Sequence, residues 1–258
     1  MKTVTLREWG KQLPLGDIKG GKFVRDFELR EFEFSVDQQI AKERANTGDL
    51  SVGDLASLVL SRLLTKLKGQ TLDPDKAPEV TRALLARCYT ADVMYLWLWA
   101  RYESMGKDLD LPFKCEWSRC TFDKDVTFDV GTIDVVVAEK PEDLSRMVKL
   151  GQQYTIQGKD VNKFKVQPPY WATVLNTTDG AYLRRVLETS IVGSDKHEGA
   201  LIITEGDLKC IKRPDYKKLE KEVNDISGGP KLVITDECPK CKRDNTLALD
   251  WEYDDFFG

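Results

Sequence analysis

An α+β fold is what the sequence predicts, and three observations predict it. Apolar residues recur at helical spacing between Val52 and Met105. Apolar and polar residues alternate with period two after Cys120 and again after Cys241. No tandem repeat of solenoid length runs through the 258 residues. The first pattern makes the N-terminal half helical. The second makes two strand-bearing turns, one from the middle of the chain and one from its end. Residues 1–110 are therefore expected to form an extended N-terminal segment plus an α-helical core, and residues 111–258 an α+β region closed by the C-terminal strand.

Residues 1–35 read as extended and turn-rich, punctuated by Leu13-Pro14-Leu15-Gly16 and Gly20-Gly21-Lys22, with Phe27, Leu29, Phe32 and Phe34 at strand-like positions. Gly16, Gly21 and Lys22 match the spacing of a phosphate-binding loop. Phe23 stands where the metal-binding Ser or Thr belongs and no helical stripe follows, so the stretch reads as a turn. Ser51-Val52-Gly53-Asp54 has the form of a capping box, and behind it Val52, Leu55, Ala56, Val59, Leu60, Leu63, Leu64 and Leu67 make one stripe that Gly69 stops. A second helix spans about Glu79 to Met105 and ends at Gly106; from Val93 to Ala100 it is apolar on every face, which makes it the central helix of the core. A hairpin about Gly131 joins Val126–Val130 to Ile133–Val137, and residues 151–178 are polar and mixed, with Pro168-Pro169 as a loop or boundary. Helices follow from Asp179 to Val192 and from Asp215 to Ile226, the latter with Tyr216, Leu219, Val223 and Ile226 inward and Ser227-Gly228-Gly229-Pro230 at its end.

Cys115 and Cys120 form one close pair and Cys238 and Cys241 another, with 117 residues between the pairs. Each pair fits on one tight turn, and two such turns facing each other complete the four-sulfur tetrahedron that Zn²⁺ takes. Val126, Phe128 and Val130 after the first pair, and Leu247, Leu249 and Trp251 after the second, add a strand to each turn. Together they have the form of the two halves of a zinc ribbon. An iron–sulfur cluster on the same four ligands is the alternative metal centre. A thioredoxin-type redox pair opens a helix, whereas Lys242-Arg243-Asp244-Asn245-Thr246 runs into a strand, and structural disulfides need an oxidising compartment. A closed four-cysteine site is structural and does no chemistry. Cys88 and Cys210 have no neighbouring partner and read as packing residues.

Composition is that of an ordinary globular chain, 41% hydrophobic with a net charge of −4. The charge argues against non-specific nucleic-acid binding, which draws on neutralised phosphates. Lys209, Lys212, Arg213, Lys217, Lys218 and Lys221 make a local basic cluster, but acids interrupt it and a solvated helix face is the expectation. The start of the chain lacks the apolar run of a signal peptide, and Val93–Ala100 is too short to span a bilayer, so a reducing cytoplasm and no membrane segment are expected. The single histidine, His197, sits in a polar stretch that suits a surface loop. No dinucleotide fingerprint, complete phosphate loop, nucleophile elbow or His-Glu-x-x-His is present, so neither an enzyme nor a small-molecule substrate is expected.

The order of these features carries a family resemblance. An extended glycine-rich start, a leucine-striped helix, a second helix running Ala91-Asp92-Val93-Met94 through Arg101-Tyr102-Glu103-Ser104-Met105-Gly106, a short strand and then a cysteine pair with its strand resemble the baseplate hub and tail assembly proteins of T-even-like contractile-tailed bacteriophages. Asp92, Arg101, Ser104 and Gly106 stand at the places of that family's Asp-apolar-Arg-x-x-Ser-x-Gly helix. Cys238-Pro239-Lys240-Cys241 and the acidic-aromatic end are similar to its closing motif. The first pair is spaced Cys-x4-Cys where two intervening residues are usual, and Lys242 stands where a zinc knuckle has glycine. The resemblance implies a non-enzymatic structural or assembly role in a phage baseplate, exercised in the host bacterial cytoplasm through contacts with other tail proteins. The alternative is a zinc-ribbon nucleic-acid-binding regulatory factor, for which the ribbon and the local lysines speak. At the C-terminus, Trp251, Tyr253, Phe256 and Phe257 alternate among four acids. Trp251 and Tyr253 suit packing on the final strand, and Phe256 and Phe257 suit an exposed aromatic anchor for a partner.

Overall fold

The computed structural model of the chain describes residues 1–47, 50–175, 182–197 and 200–249. Helix and strand are both abundant, at 40% and 34%, which is the mixed class the sequence predicts. The N-terminal half is not the helical unit expected, because sheet occupies much of it. β1 (Lys2–Thr5) runs into the single-turn α1 (Leu6–Trp9), held by a reciprocal capping box between Thr5 and Glu8. β2 (Gln12–Lys19) and β3 (Lys22–Leu29) form a hairpin over Gly20 and Gly21, both at positive φ. Of the residues with phosphate-loop spacing, Gly21 lies in this turn, Lys22 opens β3 and Gly16 lies within β2, so no phosphate loop forms.

Among its described side chains, α2 (Phe34–Thr47) buries only Val36 and Ile40, one turn apart. So thin an apolar stripe leaves no periodic signal, and no helix is expected there from sequence. α3 (Val52–Leu63) is the leucine-striped helix, with the Ser51 hydroxyl accepting from the Asp54 backbone N–H. The chain then straightens into β4 (Leu64–Leu67), which pairs with β3 and with β5 (Gln70–Thr71) in a sheet of order β2-β3-β4-β5. Leu64 and Leu67, the last members of the stripe, are therefore strand residues buried in the same core.

α4 (Pro78–Ala86) and α5 (Thr90–Met105) replace the one helix expected from Glu79 to Met105. Tyr89 is extended between them and bridges to Tyr170, with the two rings stacked at 5.1 Å. α5 crosses the main core, and Tyr95, Leu96, Trp97 and Leu98 are almost wholly buried. Its two buried charges pin it at either end. The Asp92 carboxylate accepts from the backbone N–H groups of Leu15 (2.8 Å) and Gly16 (3.0 Å) and lies 3.7 Å from the Lys68 ammonium. Arg101 donates to the carbonyls of Gly106 (2.9 Å) and Asp108 (2.7 Å), just past the helix end where Gly106 takes φ 82.

β6 (Asp108–Lys114) and β7 (Asp123–Asp129) pair residue for residue. The hairpin expected about Gly131 does not form: Val130–Thr132 is a 3-10 turn capped by the Asp129 carboxylate, and β8 (Asp134–Val137) turns away to pair with β1. The stretch expected to be polar and mixed is largely a long hairpin of β9 (Arg146–Ile156) and β10 (Lys159–Val166), followed by the short α6 (Trp171–Leu175). α7 (Tyr182–Ser190) passes directly into β11 (Ile191–Ser194), which joins the free side of β10, and α8 (Glu205–Cys210) and α9 (Arg213–Ser227) cover the sheet. A second core lies between them, where Val148, Ile156, Phe164 and Val166 meet Leu187, Leu219 and Val223. β12 (Gly229–Pro230) returns to β8 and completes the sheet of order β1-β8-β12. Gly229 has φ 84, and a Cβ there would come within 2.6 Å of the Ala91 Cβ, so only glycine fits this crossing over α5. β13 (Val233–Glu237) and β14 (Asp244–Ala248) make the last hairpin, after which Leu249 is buried in the main core. No helix among the described residues is long and apolar enough to cross a membrane.

Candidate metal centre

Two hairpins meet at their turns. Cys115 follows the last residue of β6, and a short loop carries Cys120 back toward β7. Cys238 follows the last residue of β13, and Cys241 lies in the turn before β14. The local folding is backbone-driven: Cys115 N–H donates to the Phe122 carbonyl and Cys120 N–H to that of Trp117, while Cys238 N–H donates to the Arg243 carbonyl and Lys242 N–H to that of Cys238. The four sulfurs converge. Cys115 Sγ is 3.6 Å from Cys241 Sγ, Cys120 Sγ is 3.8 Å from Cys238 Sγ, and all four lie within 4.8 Å of one another. None is in a disulfide. A metal ion with metal–sulfur bonds of about 2.3 Å at the centre of a tetrahedron sets its ligands about 3.8 Å apart, so these residues fit such an ion. The two cysteine pairs therefore form one cluster that can hold a metal.

The surroundings lock the two hairpins together. Asn245, almost fully buried, accepts from the Glu116 N–H at 2.8 Å through Oδ1 and donates through Nδ2 to the Arg243 carbonyl. The Arg243 guanidinium lies 3.9 Å from the centre of the Trp117 ring, and Lys240 Nζ donates to Thr121 Oγ1 at 2.7 Å. Beneath them Phe113 and Phe122 meet edge to face, with Leu247 alongside. Burial opposes ionisation of Cys238, but the backbone N–H groups of Cys241 and Lys240 donate to its sulfur and carry the thiol down to about 7. Burial and the neighbouring Cys115, Cys238 and Cys120 sulfurs push Cys241 up to about 12. Bringing all four sulfurs to the thiolate form at this spacing would take a cation among them.

Asn245 and the Arg243–Trp117 stack are the supporting residues that sequence reasoning missed. A signal for Asn245 was present, since it shares the inward parity of Leu247 on β14. The other residues singled out from sequence lie elsewhere. Trp251, Tyr253, Phe256 and Phe257 fall outside the described residues. Cys88 is buried, as a packing residue should be, but Cys210 is exposed at the end of α8, where a packing role is expected from sequence. His197 is half-buried rather than superficial, its Nδ1 2.7 Å from the Ser194 hydroxyl. In the basic cluster Lys209 pairs with Glu205 and Lys221 with Asp225, which is the solvated helix face expected. No protein-family model, curated protein or solved structure matches the chain.

Lys242 takes φ 59, the left-handed conformation that glycine usually supplies in a metal knuckle. A non-glycine residue there costs about 1–2 kcal/mol. Lys242→Gly is thus expected to leave metal content unchanged and to hold or raise the unfolding midpoint in urea. A drop in metal content would show that the Lys242 side chain, which pairs with Glu237 at 3.3 Å, matters more than its backbone.

Proposed function

We propose that the chain is a non-enzymatic structural or assembly protein of a contractile phage baseplate, folded around one Zn²⁺ held by Cys115, Cys120, Cys238 and Cys241. The observation that carries the reading is the cluster of four sulfurs within 4.8 Å. When bound, the metal supplies a cross-link between two hairpins far apart in sequence. Protein ligands fill all four positions, which leaves none for a substrate and marks a structural site. A multi-iron cluster with its bridging sulfides is too large for the space between these sulfurs, which favours a single ion. The baseplate part rests on the resemblance of α5 and the closing motif alone; Asp92 and Arg101 of that motif anchor the two ends of α5. The protein works in the host cytoplasm through contacts with other tail proteins, with Phe256 and Phe257 as their anchor.

The test is a pull-down from infected bacteria with the full chain and with a chain lacking Phe256 to Gly258. The full chain is expected to recover tail proteins, and the truncated chain to recover none while keeping its metal and its melting temperature. Recovery of tail proteins by the truncated chain would discard the anchor. Recovery of nucleic acid in place of tail proteins by the full chain would replace the assembly role with nucleic-acid binding.

A further inference from the structure

The sheet of order β11-β10-β9 has one covered face and one bare face. Helices α7 to α9 close the inner face, and the outer face exposes Met147, Lys149 and Thr155 of β9 and Asp160, Lys163 and Lys165 of β10, the Asp160 carboxylate accepting from the Thr155 hydroxyl opposite at 2.7 Å. Lys163 stands directly opposite Lys149, and Lys165 opposite Met147. Directly opposed side chains on neighbouring strands are about 5 Å apart at Cβ, and like charges so placed destabilise the sheet. Among the described residues no carboxylate answers these charges: the ammonium groups of Lys149, Lys163 and Lys165 make neither an ion pair nor a hydrogen bond. Their neighbours are answered, Arg146 by Glu222 at 2.6 Å and Lys221 by Asp225. A fourth ammonium, that of Lys218, reaches the border of the face, donating to the Lys149 carbonyl at 2.7 Å.

Bare lysines often guard a sheet edge against unwanted strand pairing. β10 is the central strand, so Lys163 and Lys165 guard no edge. The charge is also uneven along the chain. Between Arg146 and Ser227 fourteen basic residues stand against eleven acidic ones, an excess of three, while the whole chain carries −4. The positive excess therefore belongs to this unit.

We propose that this outer face docks an extended acidic segment of a partner protein. Lys163 and Lys165 are two residues apart on one strand, about 6.8 Å, which is also the spacing of alternate side chains in an extended peptide. Lys149 lets a carboxylate over Lys163 be shared by two ammonium groups. Met147, half exposed between the lysines, offers an apolar side chain of the segment a contact. Nucleic acid is the weaker fit: the face presents no aromatic ring on which a base could stack and no arginine to read one. The surface gives a chemistry to the protein-contact role proposed above. It shares no residue with the metal centre or the C-terminal anchor, so failure here leaves the metal and pull-down results untouched.

The probe is a fluorescein-labelled peptide of about twelve residues alternating glutamate and serine, titrated with the full chain at low salt and followed by anisotropy, with an oligothymidylate of equal charge in parallel. Joint replacement of Lys149, Lys163 and Lys165 by glutamine is expected to weaken peptide binding at least about tenfold, and the same change at Lys209, Lys217 and Lys221 by less than about twofold. Lys163→Glu separates binding from folding. It sets opposite charges across the strands, so it should raise the melting temperature and still abolish binding. The proposal is overturned if the peptide does not bind, if both triple variants weaken it equally, or if the oligothymidylate binds more tightly through the same lysines.

Discussion

Serine at both Cys238 and Cys241 is expected to empty the metal site, lower the melting temperature by about 10–20 °C and open the last hairpin to protease. The size follows from what the metal links. Cys120 and Cys238 are separated by 117 residues, and cross-linking a loop of that length is worth about 4–5 kcal/mol in chain entropy. For a chain of this size each kcal/mol moves the melting temperature by about 2–4 °C. Both hairpins also continue into the main core, β6 through Leu109 and Leu111 and the C-terminal one through Leu249, so loosening them reaches beyond the sulfur cluster. Elemental analysis, a thermal melt and limited proteolysis read the three effects. Cys210→Ser, at an exposed position outside the cluster, should change none of them. Full metal content in the double variant would reject the four-cysteine assignment. Loss of metal with an unchanged melt and unchanged proteolysis would make the site peripheral.

The cysteine cluster was legible because its signal is local: each pair sits on one turn, and each turn is followed by an alternating strand. α3 and α9 were legible for the same reason, a cap or stripe contained in one stretch of chain. What sequence hid was pairing at a distance. Val126 and Phe128 have the right alternation, but nothing local says that they pair back onto β6 while Val135 and Val137 go to β1 and β12. The β9–β10 hairpin carried period-two alternation in Val148, Leu150, Tyr154 and Ile156, with a turn at Gln157-Gly158. Its bare lysine face made the stretch look merely polar. The expectation of a helical N-terminal half is not confirmed at the β2-β3-β4-β5 sheet: β2 and β3 fall in the stretch read as extended, but β4 and β5 fall where a helical core is expected. Its strands are interleaved with helices, and β4 continues the α3 stripe without a break, so a helix and a strand shared one apolar pattern. The partners of Asp92 were equally hidden, since they come from β2 and from the turn between β4 and β5.

Asp92→Ala is expected to lower stability by about 3–5 kcal/mol, because it strips the partner from a buried charge and from two buried N–H groups together. Asp92 is fully buried and Lys68 nearly so. With the carboxylate gone, the Lys68 ammonium keeps Asp17, at 2.9 Å on the more exposed side, and the neutral Cys88 thiol, and the N–H groups of Leu15 and Gly16 lose their acceptor. Yet the pair is not a simple source of stability. Burial pushes the Asp92 carboxyl up, and Lys68 and the two N–H groups only partly offset that. Lys68→Met should therefore be milder than Asp92→Ala, since the carboxylate retains its backbone donors. Joining Lys68→Met to Asp92→Asn should recover part of the loss, because no buried charge remains and the asparagine carbonyl still accepts a backbone N–H. Urea unfolding of the wild type and these variants at one pH gives the comparison. A loss below about 1 kcal/mol for Asp92→Ala would mean that water or a rearranged β2 replaces the carboxylate. The expected order, with the double variant more stable than Asp92→Ala, would identify Asp92 as the residue that fixes where β2 and the β4–β5 turn meet the start of α5, specifying the arrangement more than strengthening it.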